Sequence, residues 1–292
     1  QKTRTTISHE NLNKYVDIVS TTVTHSTARC HITTIKDFFR YMKRAHPDIV
    51  RLSDLKRSPH MEGWLTDLAA RGLSKGTRKL RIMSLRKFFY NLYDWEWADV
   101  PPPGLITSKD MPHLDDYLPK PLTPESDEKL QNYLRGNRTL LAQALLLLRK
   151  TGMRIGELRD LELECLGHIS DENYLLHVPL GKLHKDRVLP VDSETVSIIK
   201  QITELRPLSL LNPKNSKGRQ YLLTSRYCRR PSYSGLRGAL ERMALQGGVH
   251  EPVSPHMLRH TYATELLRNG MNLTVLKELM GHKDISMTLR YT

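Results

Sequence analysis

The sequence predicts a mainly α-helical protein with two domains: an N-terminal helical bundle, then a mostly helical domain with a small antiparallel β-sheet. Three observations favour this fold class. Apolar residues recur at helical spacing in both halves of the chain, seven prolines interrupt that pattern within residues 99–125, and short β-type runs flank Gly181. A chain of 292 residues is also long enough to form two hydrophobic cores rather than one.

The N-terminal bundle is predicted from three helical segments. Residues 24–44 carry apolar side chains at helical spacing, Ser58 and Pro59 suit the start of a second helix, and residues 74–95 form a third. The positions expected to face the core are Ile32, Ile35, Phe38, Phe39 and Met42, then Trp64, Leu65 and Leu68, then Leu80, Met83, Phe88 and Leu92. We therefore predict a small all-helical domain at residues 1–105.

The proline-rich stretch between the two halves has no sustained period of either kind, which is typical of a linker. We predict that residues 106–122 connect the first domain to a second domain at residues 123–292.

The second domain is predicted to begin with a helix at Thr123 and Pro124. The segment LLAQALLLLRKTG indicates a helix buried on most sides that ends at Gly152. Residues 174–191 indicate a β-hairpin, although Pro179 weakens its first strand. From Ser232 onward the apolar period is helical again, so the sheet is a small insertion in a helical domain.

The positive charge of the chain is spread over both halves. Lys and Arg number 45 against 31 Asp and Glu, a net charge of +14, and the excess is seven on each side of residue 122. Two bodies that are both basic favour a polyanionic partner, most simply nucleic acid, although excess charge can also serve only solubility.

Cysteine usage and hydropathy limit where the protein works. Cys30, Cys165 and Cys228 are widely spaced and form no CxxC pair, which favours a reducing compartment. No apolar stretch approaches the roughly 18 residues that span a bilayer, and the first residues have no apolar signal core. We predict a soluble cytoplasmic protein without a membrane partner, and we expect from the initial Gln that the natural chain extends further.

One helix carries charge of a single sign. No acid occurs in residues 71–93, whereas the predicted third helix holds six cations: Lys75, Arg78, Lys79, Arg81, Arg86 and Lys87. Like charges on one face repel, and contacts to phosphates would offset that cost. We favour a DNA-binding face over an ordinary solvated face.

Several residues of the second domain could form an anion site. Ser254 and Pro255 begin a helix, so His256 and Arg259 lie in its first turn and on the same face. Backbone N–H groups at a helix start favour phosphate there. Alone this pattern is common, and ordinary helix residues would explain it.

Further candidates come from three other stretches. Arg154 follows the Gly152 break and precedes a new helix, where Glu157 can either brace that arginine or cap the helix. Lys182 lies at the predicted hairpin turn, a common place for lysine. His282 and Tyr291 lie near the end of the chain; a tyrosine with an ordinary pKa near ~10 is a poor nucleophile unless cations and a base surround it.

Four motifs, TGMRIGEL, GKLHKDRVLPV, HMLRHTYATELLRNG and GHKDISMTLRY, closely resemble those of the tyrosine recombinase (phage integrase) family in order and spacing. Xer-type resolvases and transposon resolvases belong to this family. The resemblance covers the whole second domain, and the basic bundle before it is similar to the family's core-binding domain.

The resemblance implies a role for each motif residue. Tyr291 would attack a DNA phosphodiester and form a 3′-phosphotyrosyl link, while Arg154 and Arg259 would bind the non-bridging oxygens. Lys182 would protonate the leaving 5′ hydroxyl and His256 would transfer a proton at the tyrosine. The remaining roles are a hydrogen bond from His282 to the phosphate, support of Arg154 by Glu157, and helix packing or a supporting position for His260.

The resemblance also implies what the reaction needs. We expect no metal and no other cofactor, since the sequence has no carboxylate cluster and no GxxxxGK[ST] loop. The expected partner is double-stranded DNA with paired recombinase sites, bound by a homo-tetramer or a pair of dimers and associated with the nucleoid. A helix normally follows the tyrosine in this family, and we expect that the sequence shown lacks it.

Two other functions stay open from the sequence. A type IB topoisomerase uses a similar constellation to relax DNA, and a non-catalytic DNA-binding relative would keep the fold without cleavage. The expectation is a site-specific recombinase for integration, excision or resolution, closer to Xer proteins or resolvases than to arm-binding integrases.

Overall fold

The computed structural model describes residues 9–115, 120–170, 173–179, 186–207, 212–215, 218–225 and 227–291. The chain divides into two compact units, Gln1–Asp116 and Tyr117–Thr292. Within the described residues the structure is mostly helical with a single three-stranded antiparallel sheet, so the predicted fold class is confirmed. No helix in these ranges has the length and apolar character needed to cross a membrane.

The first unit contains four α-helices: α1 (His9–Thr22), α2 (His25–Ala45), α3 (Glu62–Ala70) and α4 (Lys75–Asp94). Thr24 and Ser74 cap α2 and α4 by accepting backbone N–H groups of the first turn. A π-helical turn at Arg57–Met61 precedes α3, so that helix begins after the predicted Ser58 and Pro59. Short 3-10 turns lie at Leu52–Asp54 and Ser108–Asp110.

Aromatic side chains fill the core of the first unit. Tyr15 and Phe88 meet edge-to-face with ring centroids 4.7 Å apart, and Phe38 meets Trp64 in the same way at 5.5 Å. All four are fully buried. Such pairs add specific geometry to the apolar burial that holds the helices together.

Two predicted core positions on α4 are wrong. Leu80 and Met83 are 53% and 51% exposed, whereas Phe88 and Leu92 are buried as expected. The helical period was correct, but it identifies a repeat and not which side of a mixed helix faces the core. Part of the predicted linker packs with this unit, because Ile106 is buried in its core and Met111 packs against it. The predicted limits of the DNA-binding and catalytic domains stay a prediction.

The second unit is arranged around one buried helix. Helix α5 (Pro124–Gly136) precedes α6 (Leu140–Thr151), in which Leu145 to Leu148 are all buried. Helix α7 (Ile155–Asp160) follows directly, and then strands β1 (Leu166–Ser170), β2 (Asn173–Val178) and β3 (Arg187–Val191). The later helices are α8 (Ser193–Leu205), α9 (Tyr233–Gln246), α10 (Pro255–Arg268), α11 (Leu273–Met280) and α12 (Ser286–Leu289). Helix α6 packs against α5, α8, α9 and α10.

The sheet has the order β1-β2-β3, with both pairs antiparallel. Leu176 of β2 lies opposite Leu166 of β1 and Leu189 of β3, which aligns these leucines across the sheet. Strand β2 ends at Val178, immediately before Pro179, because proline cannot donate to the ladder. The predicted hairpin tip with Lys182 lies outside the described residues.

Candidate active site

Gly152 forms the turn that positions two arginines of the site. It ends α6 in the left-handed conformation, with φ of 58°, and a Cβ placed there would lie 2.1 Å from the Tyr262 ring. Only glycine therefore fits without displacement. At this turn the Gly152 carbonyl accepts a hydrogen bond from Arg259, and Arg154 lies at the N-cap of α7.

Glu157 holds two arginines from one buried carboxylate. It is 2% exposed and accepts the Arg154 backbone N–H at 2.7 Å and the Arg154 guanidinium at 2.8 Å. Arg187 donates to both carboxylate oxygens, at 2.9 and 2.8 Å. Burial would raise the pKa of Glu157, but the hydrogen bonds and charge of Arg187, with those of Arg154, lower it to about 2. Glu157 thus acts as brace and cap together.

Arg187 is a site residue that sequence reasoning missed. It opens β3, and its Nε donates to the Leu279 carbonyl at 2.8 Å while its guanidinium packs on Gly281. Arg187 thereby ties the sheet to α7 and to the end of α11. It lies within the quoted motif GKLHKDRVLPV, but Glu157 is 30 positions away and no local spacing rule pairs them.

Arg259 is fixed by backbone carbonyls instead of a carboxylate. The residue is 4% exposed, and its guanidinium donates to Gly152 O at 2.7 Å and to Met280 O. Burial and the charge of Arg154 lower the pKa of Arg259 to about 9, which still leaves it charged at neutral pH. A fixed cation of this kind does not reorganise when a phosphate arrives.

The GHKD turn places His282 beside these arginines. Gly281 ends α11 with φ of 59°, and its carbonyl accepts from Arg154 Nη2 at 3.3 Å. His282 is 8% exposed, and its Nδ1 lies 2.8 Å from Thr288 Oγ1, a contact that joins the turn to α12. Thr288 is fully buried, so this contact orients the imidazole ring.

Tyr291 lies against two histidines. Its hydroxyl is 3.0 Å from His260 Nδ1, and its ring is parallel to the His282 ring within 4°, with centroids 6.2 Å apart. The tyrosine also packs on a small cluster of Ala263, Leu276 and Met280. The nucleophile candidate is therefore packed into the unit and not left at a frayed end.

The histidines of the site are neutral at pH 7. Burial and Arg259 with Arg154 lower the pKa of His282 to about 3, and burial with His256 and Arg259 lowers that of His260 to about 4. Partial burial and the two arginines also lower the pKa of His256. The site thus combines permanent cations with neutral imidazoles that can donate or accept protons.

The structure brings together six of the eight predicted catalytic and supporting residues: Arg154, Glu157, Arg259, His260, His282 and Tyr291. His256 approaches through its ring contact with His260, whose centroid is 6.3 Å away, and Lys182 lies outside the described residues. In the parts of the chain that the structure describes, no group of three or more His, Cys, Asp or Glu side chains could hold a metal ion.

The predicted DNA-binding cations all lie on α4 of the first unit, but their environments differ. Arg86 and Lys87 are exposed, and Lys79 is half-buried. Lys75 donates to Asp115, and Arg81 donates to the buried Asp37. Arg78 is half-buried, with its Nε enclosed. Lys79, Arg86 and Lys87 are therefore the best placed of the six for an external partner.

A helical domain that gathers fixed arginines, neutral histidines and a tyrosine is the kind of protein that can act on a phosphodiester. The profile described as the phage integrase family matches residues 120–292. The chain belongs to this family, and the resemblance to the tyrosine recombinases is confirmed.

Similar proteins carry recombinase and transposase names. The tyrosine recombinase XerD of Caulobacter vibrioides is 33% identical over 240 residues, covering 80% of this chain and 75% of that protein. The tyrosine recombinase XerC of Thermodesulfovibrio yellowstonii is 29% identical and covers 91% and 85% of the two chains. Transposase B from transposon Tn554 of Staphylococcus aureus is 27% identical over 88% of this chain, which spans only 41% of that transposase.

Solved structures share the fold. A post-cleavage complex of the XerH site-specific recombinase with palindromic difH has a TM-score of 0.73 at 21% identity, covering 98% of this chain and 81% of that chain. A lambda integrase (75–356) dimer bound to a COC' core site has a TM-score of 0.71 at 18% identity, with coverage of 97% and 94%.

Proposed function

We propose that this protein is a site-specific DNA recombinase that cleaves and rejoins strands through a 3′-phosphotyrosyl intermediate. The observation that carries the proposal is that Arg154 and Arg259, each held by protein acceptors, bond the Met280–Gly281 turn directly before His282, whose ring is parallel to that of Tyr291. The recombinase names of the Xer relatives support the same reaction class.

Arg154 and Arg259 are proposed to bind the two non-bridging oxygens of the scissile phosphate. Attack by Tyr291 adds negative charge to those oxygens, so cations fixed in advance stabilise the transition state more than the substrate. Both arginines bond the turns around Gly152 and Gly281, which limits how far either can move. Glu157 positions Arg154 without touching DNA.

The other motif residues are proposed to move protons or add hydrogen bonds. His282 donates to the phosphate, since its Nδ1 already contacts Thr288 and leaves Nε2 as the remaining ring nitrogen. Lys182, which lies outside the described residues, protonates the leaving 5′ hydroxyl. His256 is proposed to assist proton transfer at the tyrosine, in line with the role that the resemblance implies. Energy retained in the phosphotyrosyl bond allows rejoining, so the reaction is proposed to need neither metal nor ATP.

The proposed partner is double-stranded DNA with paired recombinase sites. The basic face of α4, with Lys79, Arg86 and Lys87, is proposed to contact phosphates, because cations of one sign along a helix favour a polyanion. The XerH and lambda integrase chains described above are bound to DNA, which supports this partner. Assembly as a homo-tetramer or a pair of dimers, and a cytoplasmic, nucleoid-associated location, are part of the same proposal.

Neither alternative function is favoured. A topoisomerase-like activity has no support among the relatives described above, whose names are recombinase and transposase. A non-catalytic relative would not need Arg154 and Arg259 fixed in one site with His282 and Tyr291. Integration, excision or resolution of a DNA element is the proposed biological role.

Covalent capture tests the proposal. The protein is incubated with EDTA and duplexes from an unbiased selection that carry a nick beside the scissile phosphate, and a denaturation-resistant adduct is mapped by mass spectrometry. We expect an adduct on Tyr291 that Tyr291→Phe abolishes with little change in DNA affinity.

Tyr227→Phe is the matched control, because Tyr227 is 69% exposed and belongs to no proposed catalytic group. This variant should form the adduct at the wild-type level. Absence of an adduct on every selected site, or an adduct that survives Tyr291→Phe, would overturn the proposed mechanism.

A further inference from the structure

The hydroxyl of Tyr291 is within hydrogen-bonding distance of His260, a residue that the family resemblance assigns only to helix packing or a supporting position. His260 follows Arg259 on α10, and its Nδ1 lies 3.0 Å from Tyr291 Oη. The two ring centroids are 5.4 Å apart, with planes tilted by 55°. This is the geometry of a hydrogen bond, and it joins residues 31 positions apart in the sequence.

His256, which the resemblance assigns to proton transfer, is placed differently. It lies one helical turn before His260 and touches that ring at a centroid distance of 6.3 Å. Among the described residues, no hydrogen bond joins His256 to Tyr291. Its side chain lies in the first turn of α10 and is partly accessible to solvent.

His282 is not suited to take the phenolic proton either. Its Nδ1 already contacts Thr288 Oγ1, and in the part of the chain that the structure describes no hydrogen bond joins its ring to the Tyr291 hydroxyl. Of the three site histidines, His260 alone has a hydrogen bond to the Tyr291 hydroxyl within the described residues.

His260 is uncharged at pH 7, so it can accept a proton from the phenol. Burial, His256 and Arg259 lower its pKa to about 4, so the ring is neutral at pH 7 and has one N–H group and one acceptor nitrogen. With the proton on Nε2, Nδ1 can accept from the phenol. A phosphate bound at Arg259 would add negative charge nearby and favour protonation of His260 during attack.

We propose that His260 is the catalytic base that accepts the phenolic proton of Tyr291. The inference rests on the proposed role of Tyr291 as nucleophile. In the step, the Tyr291 Oη–P bond forms and the P–O5′ bond breaks. The phenolic proton moves to His260 Nδ1, and the leaving O5′ receives a proton from the general acid, proposed to be Lys182. Rejoining reverses each transfer.

Single-turnover cleavage of a nicked, selected duplex tests the assignment. His260→Ala should slow cleavage roughly 100-fold, the lower end of the usual loss on removing a general base. Replacing Tyr291 site-specifically by 3-fluorotyrosine, whose phenol is more acidic, should recover at least tenfold of that loss, since a more acidic phenol depends less on a base.

His256→Ala is the matched comparison, because it removes the neighbouring imidazole from the same helix. Its cleavage defect should not be recovered by 3-fluorotyrosine. Wild-type cleavage by His260→Ala would overturn the proposal, as would a defect that fluorotyrosine leaves unchanged or a recovery specific to His256→Ala. Absence of adducts from the wild-type protein would instead overturn the proposed function itself.

A second variant separates the base from a merely structural contact. Asparagine places a polar group near the position of Nδ1 but cannot serve as a base, so His260→Asn should keep DNA affinity and thermal stability and yet cleave as slowly as His260→Ala. Full activity of His260→Asn would show that His260 only forms a hydrogen bond and would contradict proton transfer from Tyr291 to His260. The ¹⁵N chemical shifts of His260 in the free protein should also report an unprotonated Nδ1.

Discussion

Each unit contains a buried acid that accepts hydrogen bonds from two arginines. In the first unit Asp37 of α2 accepts from Arg71, at the end of α3, and from Arg81 of α4. In the second unit Glu157 accepts from Arg154 and Arg187. Asp37 connects three helices of a bundle, whereas the arginines of Glu157 bond the end of α11 and the Gly281 turn that precedes His282.

The comparison shows that one electrostatic arrangement can serve packing or chemistry. Taking charges out of water costs free energy, and both units offset that cost by pairing each buried acid with arginines. Around Asp37 the paired arginines are occupied in holding helices. Around Glu157, Arg154 is positioned within a site where Arg259 is held separately by two carbonyls. Position within the Tyr291 site, not pairing itself, distinguishes the arginines that we propose to be catalytic.

The largest effect is expected from Arg259→Lys. Lysine keeps the charge but cannot donate in the planar, forked geometry that reaches Gly152 O and Met280 O. Cleavage should fall roughly 100- to 1,000-fold in single-turnover assays, as for loss of one preorganised donor. Arg268→Lys, at the exposed end of the same helix, should cleave normally. Equal activity of both variants would contradict a preorganised role for Arg259.

Glu157→Gln tests how much the ionised Glu157 contributes to the stability of the fold. The pKa of Glu157 in the folded protein is about 2, below the ordinary value of 4.5, so its ionised form stabilises the fold above pH 4.5. That contribution is lost as the pH falls from about 5 toward 2, and amounts to about 3 kcal/mol. Urea unfolding across this range should show a smaller loss of unfolding free energy in Glu157→Gln than in wild type, because other carboxylates with a lowered pKa, such as Asp110, titrate in both.

Asp37→Asn is the matched change in the first unit. We expect it to lower the unfolding free energy and to leave the rate of cleavage on bound DNA unchanged, whereas Glu157→Gln should reduce that rate. A comparable cleavage rate in both variants would show that the Glu157 cluster serves stability alone.

Local rules predicted much of this site. The left-handed Gly152, the helix start at Ser254 and the hairpin each follow from a few neighbouring residues, and they place Arg154, His256 and Arg259. Contacts between distant segments were not accessible in this way. Glu157 to Arg187 and His260 to Tyr291 depend on tertiary packing, and the exposure of Leu80 and Met83 depends on which side of α4 meets the bundle.

Gly152→Ala tests whether the backbone that holds Arg259 must keep its conformation. A methyl group would meet the Tyr262 ring, while at Gly270, with φ of 83°, a Cβ meets nothing within 4 Å. Both alanines are strained by positive φ, so their difference isolates the clash. Gly152→Ala should be less stable than Gly270→Ala by about 2 kcal/mol in chemical denaturation. Equal stability would show that Tyr262 moves aside without cost.

The smallest single effects are expected on α4, where exposed cations act on DNA through salt-dependent contacts. Arg86→Gln and Lys87→Gln should each weaken binding modestly and reduce the slope of log affinity against log salt by about 0.9 per lost phosphate contact. Arg81→Gln should leave that slope unchanged, because Arg81 is bonded to Asp37. If Arg81→Gln lowers the slope as much as Arg86→Gln, then Arg81 leaves its acid to bind DNA. The Asp37 cluster would then take part in DNA binding as well as helix packing.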